Sequence, residues 1–152
     1  MIVKQFVEGF IANNNYLLID EDSKEAALID CTDYISELGA VLKEYDAKLK
    51  YILLTHGHFD HIMGVPKIKK EFGAKVYLHK DDKELVDNSD EFMISVGMQP
   101  FEHPEIDKYI DEGEEIYLGK NKIQVIHLPG HTQGGVGYLV DGMLFAGDSI
   151  FL

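Results

Sequence analysis

The sequence predicts a mixed α/β fold in a single domain. Short apolar runs separated by turn residues occur near both ends of the chain and favour β-strands there. Helical periodicity lies between them, on either side of a continuous apolar run at residues 51–54. Such a run is typical of a strand that is buried on both faces. A length of 152 residues fits one domain with one core, so we treat residues 1–152 as a single unit.

The N-terminal part is predicted to form an antiparallel meander. Apolar runs cover residues 2–7, 16–19 and 26–29, and polar segments at 13–15 and 21–23 separate them. Asn, Asp and Ser favour turns because their side chains bond to the neighbouring backbone. Three short strands joined by tight connections follow from this pattern.

Two helices are expected next. The first is indicated by apolar residues spaced for one helical face, namely Ile35, Leu38, Leu42 and Tyr45. Thr32 or Asp33 is its expected N-cap. The second helix should begin near Pro66, which suits a first turn, and should end at Gly73.

The rest of the chain changes from helical to strand-rich. A strand at 76–78 and a short helix at 80–86 are followed by a long loop with some helix over 88–113. Four further strands are expected at 115–118, 122–128, 135–140 and 143–146. Asp141-Gly142, between the last two, is a strong two-residue hairpin signal.

Composition excludes several classes of function. Lys and Arg total 14 against 27 Asp and Glu, the net charge is −13, and every basic residue is Lys. Such a surface repels polyanions, so we expect no nucleic-acid partner. No apolar run approaches the roughly 20 residues of a membrane span, so we expect no membrane partner. A single cysteine and the absence of a signal-like N-terminus predict a cytoplasmic protein.

The chemically informative segment is residues 55–61, which follow the predicted buried strand. It holds His56, His58, Asp60 and His61. In extended backbone His56 and His58 point to the same side, and Gly57 leaves the chain free to bend. Imidazole and carboxylate suit Zn(II), Fe(II) or Mn(II), so this segment predicts a metal site.

Two later motifs add candidate ligands. His131 lies in a Pro- and Gly-containing turn at residues 128–135, directly after a predicted strand. Asp148 follows the last predicted strand, within residues 145–149. The alternative interpretation of Asp148 is a helix N-cap.

Together the motifs at 56–61, 130–132 and 147–148 resemble the metallo-β-lactamase superfamily, and most of all its hydroxyacylglutathione hydrolase (glyoxalase II)-like group. The resemblance implies an αβ/βα sandwich. It also implies a further histidine ligand, with more strands and helices, beyond the Gly-Asp motif. Because residues 1–152 end before these, the domain is expected to be incomplete at its C-terminus.

The resemblance also implies the ligand set and the reaction. His56, His58 and His131 would bind the first metal ion, Asp60 and His61 the second, and Asp148 would bridge the two. Asp60 is also the implied catalytic residue. The cofactor would be one or two zinc ions, with iron or manganese as options. A metal-bound hydroxide would then hydrolyse an acyl thioester of the hydroxyacylglutathione type.

Two alternatives to this hydrolase stay open. One is a mononuclear iron persulfide dioxygenase, because these enzymes share the same motifs. The other is a metal-binding fragment without activity, since the second metal position lacks its implied last histidine. Without the implied C-terminal cover, we also expect the chain to self-associate or to need a missing C-terminal segment.

The other candidate residues have simpler interpretations. His79, His103 and His127 are predicted to be structural or surface histidines. Cys31 is predicted to be a small, inert core residue. Thr55 and Thr132 are predicted to donate hydrogen bonds that support the metal ligands.

Overall fold

Two β-sheets pack face to face in the computed structural model, which describes residues 1–9, 12–99, 102–147 and 149–151. The strand order of the larger, six-stranded sheet follows the chain from the first strand to the sixth. Its strands are β1 (Ile2–Glu8), β2 (Asn13–Asp20), β3 (Glu25–Ile29), β4 (Lys48–Leu53), β5 (Lys75–His79) and β6 (Lys108–Ile110). The first three pair antiparallel, which confirms the predicted meander, and the pairs from β3 to β6 are parallel.

The smaller sheet has five strands and is antiparallel throughout. Its strands are β7 (Glu115–Leu118), β8 (Asn121–His127), β9 (Val136–Val140), β10 (Met143–Ala146) and β11 (Ser149–Phe151). Asp141 and Gly142 join β9 to β10 with φ values of 51° and 76°. Positive φ at both positions is what a type I′ hairpin requires, so the predicted turn is confirmed.

Four α-helices are present in the described residues, and two 3₁₀ turns accompany them. The helices are α1 (Leu38–Glu44), α2 (Val65–Phe72), α3 (Lys83–Asp87) and α4 (Ser89–Ser95), and the 3₁₀ turns are Phe59–His61 and Lys80–Asp82. Pro66 lies in the first turn of α2, and Gly73 ends this helix at φ 71°, as predicted.

The core has two parts, one on each face of the six-stranded sheet. Leu38 and Leu42 of α1 and Ile68 of α2 pack against one face. The other face packs against the five-stranded sheet through residues such as Leu53 and Tyr138. Strand β4 is therefore covered on both sides, as its continuous apolar run predicted. The mixed α/β class is confirmed.

Some local predictions were wrong. Helix α1 begins at Leu38 with Glu37 as its N-cap residue. The backbone N–H of Thr32 instead donates to Asn15 Oδ1, so neither Thr32 nor Asp33 caps the helix. The predicted long loop with some helix over 88–113 does hold a helix, α4, but it also contributes an unpredicted strand, β6, which pairs parallel to β5. Three residues carry too little periodicity for β6 to be recognised without its partner strand.

Candidate metal centre

Three histidine side chains converge where β4 ends. His56 and His58 lie in the loop that follows β4, and His131 lies in the loop between β8 and β9. Their ligand nitrogens lie within 4.8 Å of one another. The ring centroids of His56 and His58 are 5.0 Å apart, and those of His58 and His131 are 4.6 Å apart. His56 is buried and His131 is exposed, so the group opens to solvent on the His131 side.

A second group shares His56 with the first. The 3₁₀ turn Phe59–His61 brings Asp60 and His61 to within 4.8 Å of a His56 nitrogen. His61 Nε2 lies 3.7 Å from Asp60 Oδ2, and the ring centroids of His56 and His61 are 4.2 Å apart. The implied division, with His56, His58 and His131 for one ion and Asp60 and His61 for the other, stays a prediction, and His56 lies within reach of both groups. Asp148, the predicted bridge, lies outside the described residues.

A buried carboxylate that the sequence analysis missed orients both groups. Asp30 directly follows β3 and is 0% exposed. It accepts hydrogen bonds from the Thr55 N–H at 2.8 Å and from the Thr55 hydroxyl at 2.7 Å. Its Oδ2 also lies 2.9 Å from His61 Nδ1. A carboxylate only accepts, so His61 Nδ1 carries the proton and Nε2 presents a lone pair to the site.

The same reasoning fixes the ring of His56. Since the Thr55 hydroxyl donates its proton to Asp30, its oxygen accepts at the 3.0 Å contact with His56 Nδ1. His56 Nδ1 therefore carries the proton, and His56 Nε2 presents a lone pair. Thr55 donates to Asp30 as predicted, whereas towards His56 its hydroxyl accepts. One buried Asp30–Thr55 pair thus sets the tautomer of two candidate ligands.

A second missed carboxylate, Asp82, ties the two histidine loops together. It is 1% exposed and lies at the end of the second 3₁₀ turn. It accepts from the Gly57 N–H at 2.9 Å, the Thr132 hydroxyl at 2.8 Å and the Gly134 N–H at 2.7 Å. Thr132 therefore supports the site through Asp82. Gly57 is required here, since a Cβ would lie 2.8 Å from a Val86 methyl group.

Few features of the sequence indicate that Asp30 and Asp82 belong to the site. Asp30 follows an apolar strand in the same way as the 55–61 motif does, and that similarity was its only signal. Asp82 sits in a polar run with no recognisable motif. A third missed residue is Asn13, whose side-chain amide donates to Asp60 Oδ2 at 3.1 Å and to the Asp60 carbonyl at 3.0 Å.

The electrostatics of the site favour neutral imidazoles. Burial lowers the pKa of His56 from 6.5 to about 4, in spite of the opposing influence of Asp30. Burial, followed by the neighbouring His131, lowers the pKa of His58 as well. A metal ion binds the neutral imidazole, so both residues are ready to act as ligands at neutral pH.

The residues present therefore fit a divalent transition metal. The donor set is imidazole and carboxylate, which suits zinc and iron. Two of the rings are held in the ligating tautomer by hydrogen bonds that do not depend on an ion. Hydrogen bonds that fix the ligating tautomer in this way are typical of metal sites, and a solvated loop does not require them.

A third cluster, formed by His79, Asp111 and His127, is better explained by structure. Its ligand atoms also lie within 4.8 Å of one another. However, His79 Nδ1 accepts from the Asp81 N–H at 3.0 Å, which puts the ring proton on Nε2, 3.1 Å from Asp111 Oδ1. The His79 and His127 rings stack at 4.2 Å, while His127 Nε2 lies 2.8 Å from the Gln133 carbonyl oxygen. Both His79 nitrogens are engaged, so the cluster connects the two sheets.

The remaining minor candidates also have structural surroundings. His103 Nε2 lies 2.9 Å from Asp90 Oδ1 and contacts neither ligand group. Cys31 is 0% exposed, and burial, reinforced by Asp30, raises the pKa of its thiol. A thiol in this state is a poor nucleophile, which agrees with the prediction of an inert core residue.

The family follows from comparison with known proteins. The sequence profile of the Metallo-beta-lactamase superfamily matches residues 9–152. The chain belongs to the metallo-β-lactamase superfamily. This superfamily consists mostly of metal-dependent hydrolases, and the two histidine groups are candidate sites for divalent metal.

Proteins that are similar to this chain have different names. It is 32% identical over 139 residues to the "Probable polyketide biosynthesis zinc-dependent hydrolase PksB" of Bacillus subtilis, covering 90% of this chain and 56% of that protein. It is 34% identical over 146 residues to the hydroxyacylglutathione hydrolase GloC of Haemophilus influenzae, covering 90% and 66%. The chain thus spans between about half and two thirds of the length of these two relatives.

A solved structure shares the fold. The crystal structure of the BLEG-1 B3 metallo-β-lactamase has a TM-score of 0.77 and 30% sequence identity, covering 91% of this chain and 67% of that one. Proteins similar to this chain are thus named as hydroxyacylglutathione hydrolase, zinc-dependent hydrolase and β-lactamase, so the comparisons establish the superfamily and not a subgroup. None of the helices in the described part of the chain is long and apolar enough to cross a membrane.

Proposed function

We propose that this chain is a zinc-dependent hydrolase of acyl thioesters, with hydroxyacylglutathiones as the nearest named class of substrate. The proposal rests on two groups of candidate ligands that share His56. One group adds His58 and His131, and the other adds Asp60 and His61. Two groups of ligands this close suit two ions acting on one substrate bond. The names of PksB and GloC support zinc and thioester chemistry, respectively.

The residues have distinct roles in this proposal. His56, His58 and His131 hold the first ion, and Asp60 and His61 lie where a second would be held. When bound, such ions supply Lewis acidity and make a water molecule acidic near neutral pH. Asn13 holds the half-buried Asp60 carboxylate, which we assign as the acceptor of a proton from the attacking water. A thiol leaves as thiolate near neutral pH, so no separate acid is needed.

A paired assay tests the proposal. The zinc-loaded chain should hydrolyse S-lactoylglutathione, and the loss of thioester absorbance measures this reaction. Asp60→Asn should reduce kcat by roughly 100-fold or more. Glutathione persulfide in an oxygen electrode should give no oxygen uptake with either the zinc- or the iron-loaded chain. Oxygen uptake without thioester turnover would instead identify the persulfide dioxygenase, and weak metal binding without either activity would identify the inactive fragment.

A further inference from the structure

An apolar cavity adjoins the candidate metal centre at His58. Its volume is about 310 Å³, at the lower end of the range for small-molecule sites. Gly57, His58 and Phe59 line it from the histidine loop. The α3–α4 segment lines it with two apolar residues, Leu85 and Phe92, and with the polar residues Asn88, Ser89 and Glu91. The cavity therefore begins at a candidate ligand and extends between the histidine loop and the two short helices.

Two aromatic rings define the character of this cavity. The ring centroids of Phe59 and Phe92 lie 5.5 Å apart. Phe92 is 52% exposed, although its helix is anchored by buried Met93 and by the Ser89 hydroxyl, which donates to the Val86 carbonyl. A large aromatic side chain held half in water beside a reactive centre offers apolar surface to a ligand.

Charge distinguishes this cavity from its neighbour. Among the described residues that line the apolar cavity, Glu91 is the one acidic or basic side chain apart from the candidate ligand His58. A second cavity also reaches His58, but Asp81, Asp82 and Glu84 line it. An uncharged apolar group that approaches His58 is therefore accommodated in the first cavity and disfavoured in the second.

We infer that the cavity between Phe59 and Phe92 binds the acyl group of the substrate, and that the preferred substrate is a thioester of an apolar acyl chain longer than a small hydroxyacyl group. This inference rests on the proposed thioester hydrolysis and specifies its substrate. Burial of each added methylene against the two rings lowers the free energy of binding.

Binding of product-like carboxylates tests the inference without relying on turnover. Isothermal titration of the zinc-loaded 152-residue chain with acetate, butyrate, hexanoate and octanoate should show affinity rising about fourfold per added methylene. Phe92→Ala should weaken octanoate binding by roughly tenfold or more and leave acetate binding unchanged. Ile94→Ala is the matched control, because Ile94 lies on the same helix and is 63% exposed but does not line the cavity.

The outcomes separate this inference from the proposed function. Affinity that is independent of chain length, or equal losses in Phe92→Ala and Ile94→Ala, would overturn the acyl cavity even if thioesters are hydrolysed. Affinity that rises with chain length and depends on Phe92 would support the cavity. If neither S-lactoylglutathione nor any longer S-acylglutathione is then hydrolysed, the proposed function fails while the binding site stands.

Discussion

Asp30 is the residue on which the geometry of the candidate centre most depends. Its carboxylate accepts hydrogen bonds from the N–H and the hydroxyl of Thr55 and from His61 Nδ1. It therefore sets the orientation of the candidate ligands His56 and His61 without being a ligand itself. Its φ of 63° is in the left-handed region, which aspartate tolerates better than most residues. That conformation ends β3 abruptly and turns the carboxylate towards the Thr55 backbone.

Replacing Asp30 by Asn should weaken zinc binding by about 10- to 100-fold. The amide cannot accept from His61 and Thr55 with the strength of a carboxylate, and its NH₂ group would face existing donors. Competition with a chromogenic chelator measures the affinity. Asp87→Asn is the control, since Asp87 pairs with Lys83 on the surface, and an equal loss in both variants would contradict the role of Asp30.

The lowered pKa of His56 predicts how the metal-free chain responds to pH. In the folded state the pKa is about 4, against 6.5 when unfolded, so the unfolded chain binds more protons between these values. The stability contributed by neutral His56 is complete above pH 6.5 and is lost as the pH falls towards 4, by an amount on the order of 3 kcal/mol. Urea unfolding of the chelator-treated chain across this window, compared with His56→Gln, measures it. An identical pH dependence in both would disprove the assignment.

At the scale of elements, the centre is built where strands end. Asp30 follows β3, the 55–61 segment follows β4, and Asp82 lies in the turn after β5. These three strands are parallel neighbours, so their carboxyl ends meet at one edge of the sheet. The loop after β8 joins them through Asp82, which accepts from donors in both histidine loops.

Removal of Asp82 should therefore loosen both loops at once. Asp82→Ala leaves three buried donors without their acceptor, and we expect a loss of about 3 kcal/mol or more in the free energy of unfolding. Asp81→Ala, at the exposed neighbouring position, should change it by less than about 0.5 kcal/mol. Denaturant unfolding measures both, and zinc affinity should fall only in Asp82→Ala. Equal stabilities would mean that Asp82 does not connect the loops.

The sequence predicts the elements that depend on residues close together in the chain, and it does not predict those that depend on residues far apart in the chain. The meander, the Asp141-Gly142 hairpin and α2 follow from short-range patterns, and the family resemblance rests on motifs of a few residues. Strand β6 forms only because β5 is beside it, and the start of α1 depends on tertiary packing. Asp30 and Asp82 act on residues 25 to 52 positions away, a relation that no periodicity reveals.

At the scale of the whole molecule, the outer face of the five-stranded sheet carries an apolar row. Tyr138 and Phe145 point inward, so by strand alternation Leu139 and Leu144 point outward. Leu144 pairs across the sheet with both Leu139 and Phe151, and Phe151 is 56% exposed. A contiguous apolar row of this kind favours association with a second surface.

We expect the 152-residue chain to self-associate through this face. Sedimentation velocity should show a mass that rises with protein concentration, and Leu144→Lys should shift the chain to a monomer because a buried lysine has no partner there. Val7→Lys, at an exposed position of β1 in the other sheet, is the control. A wild-type chain that stays monomeric at high concentration would contradict the expectation.

Zinc binding by the wild-type chain and by His58→Ala tests the central claim most directly. His58 belongs to the three-histidine group and is only half-buried, so its removal takes away a ligand with little effect on the core. Elemental analysis and chelator competition should show at least one tightly held zinc ion in the wild type. The affinity should fall in His58→Ala by more than the roughly 100-fold cost of losing a supporting hydrogen bond. His103→Ala should match the wild type. Wild-type zinc content and affinity in His58→Ala would contradict the assignment of the metal centre.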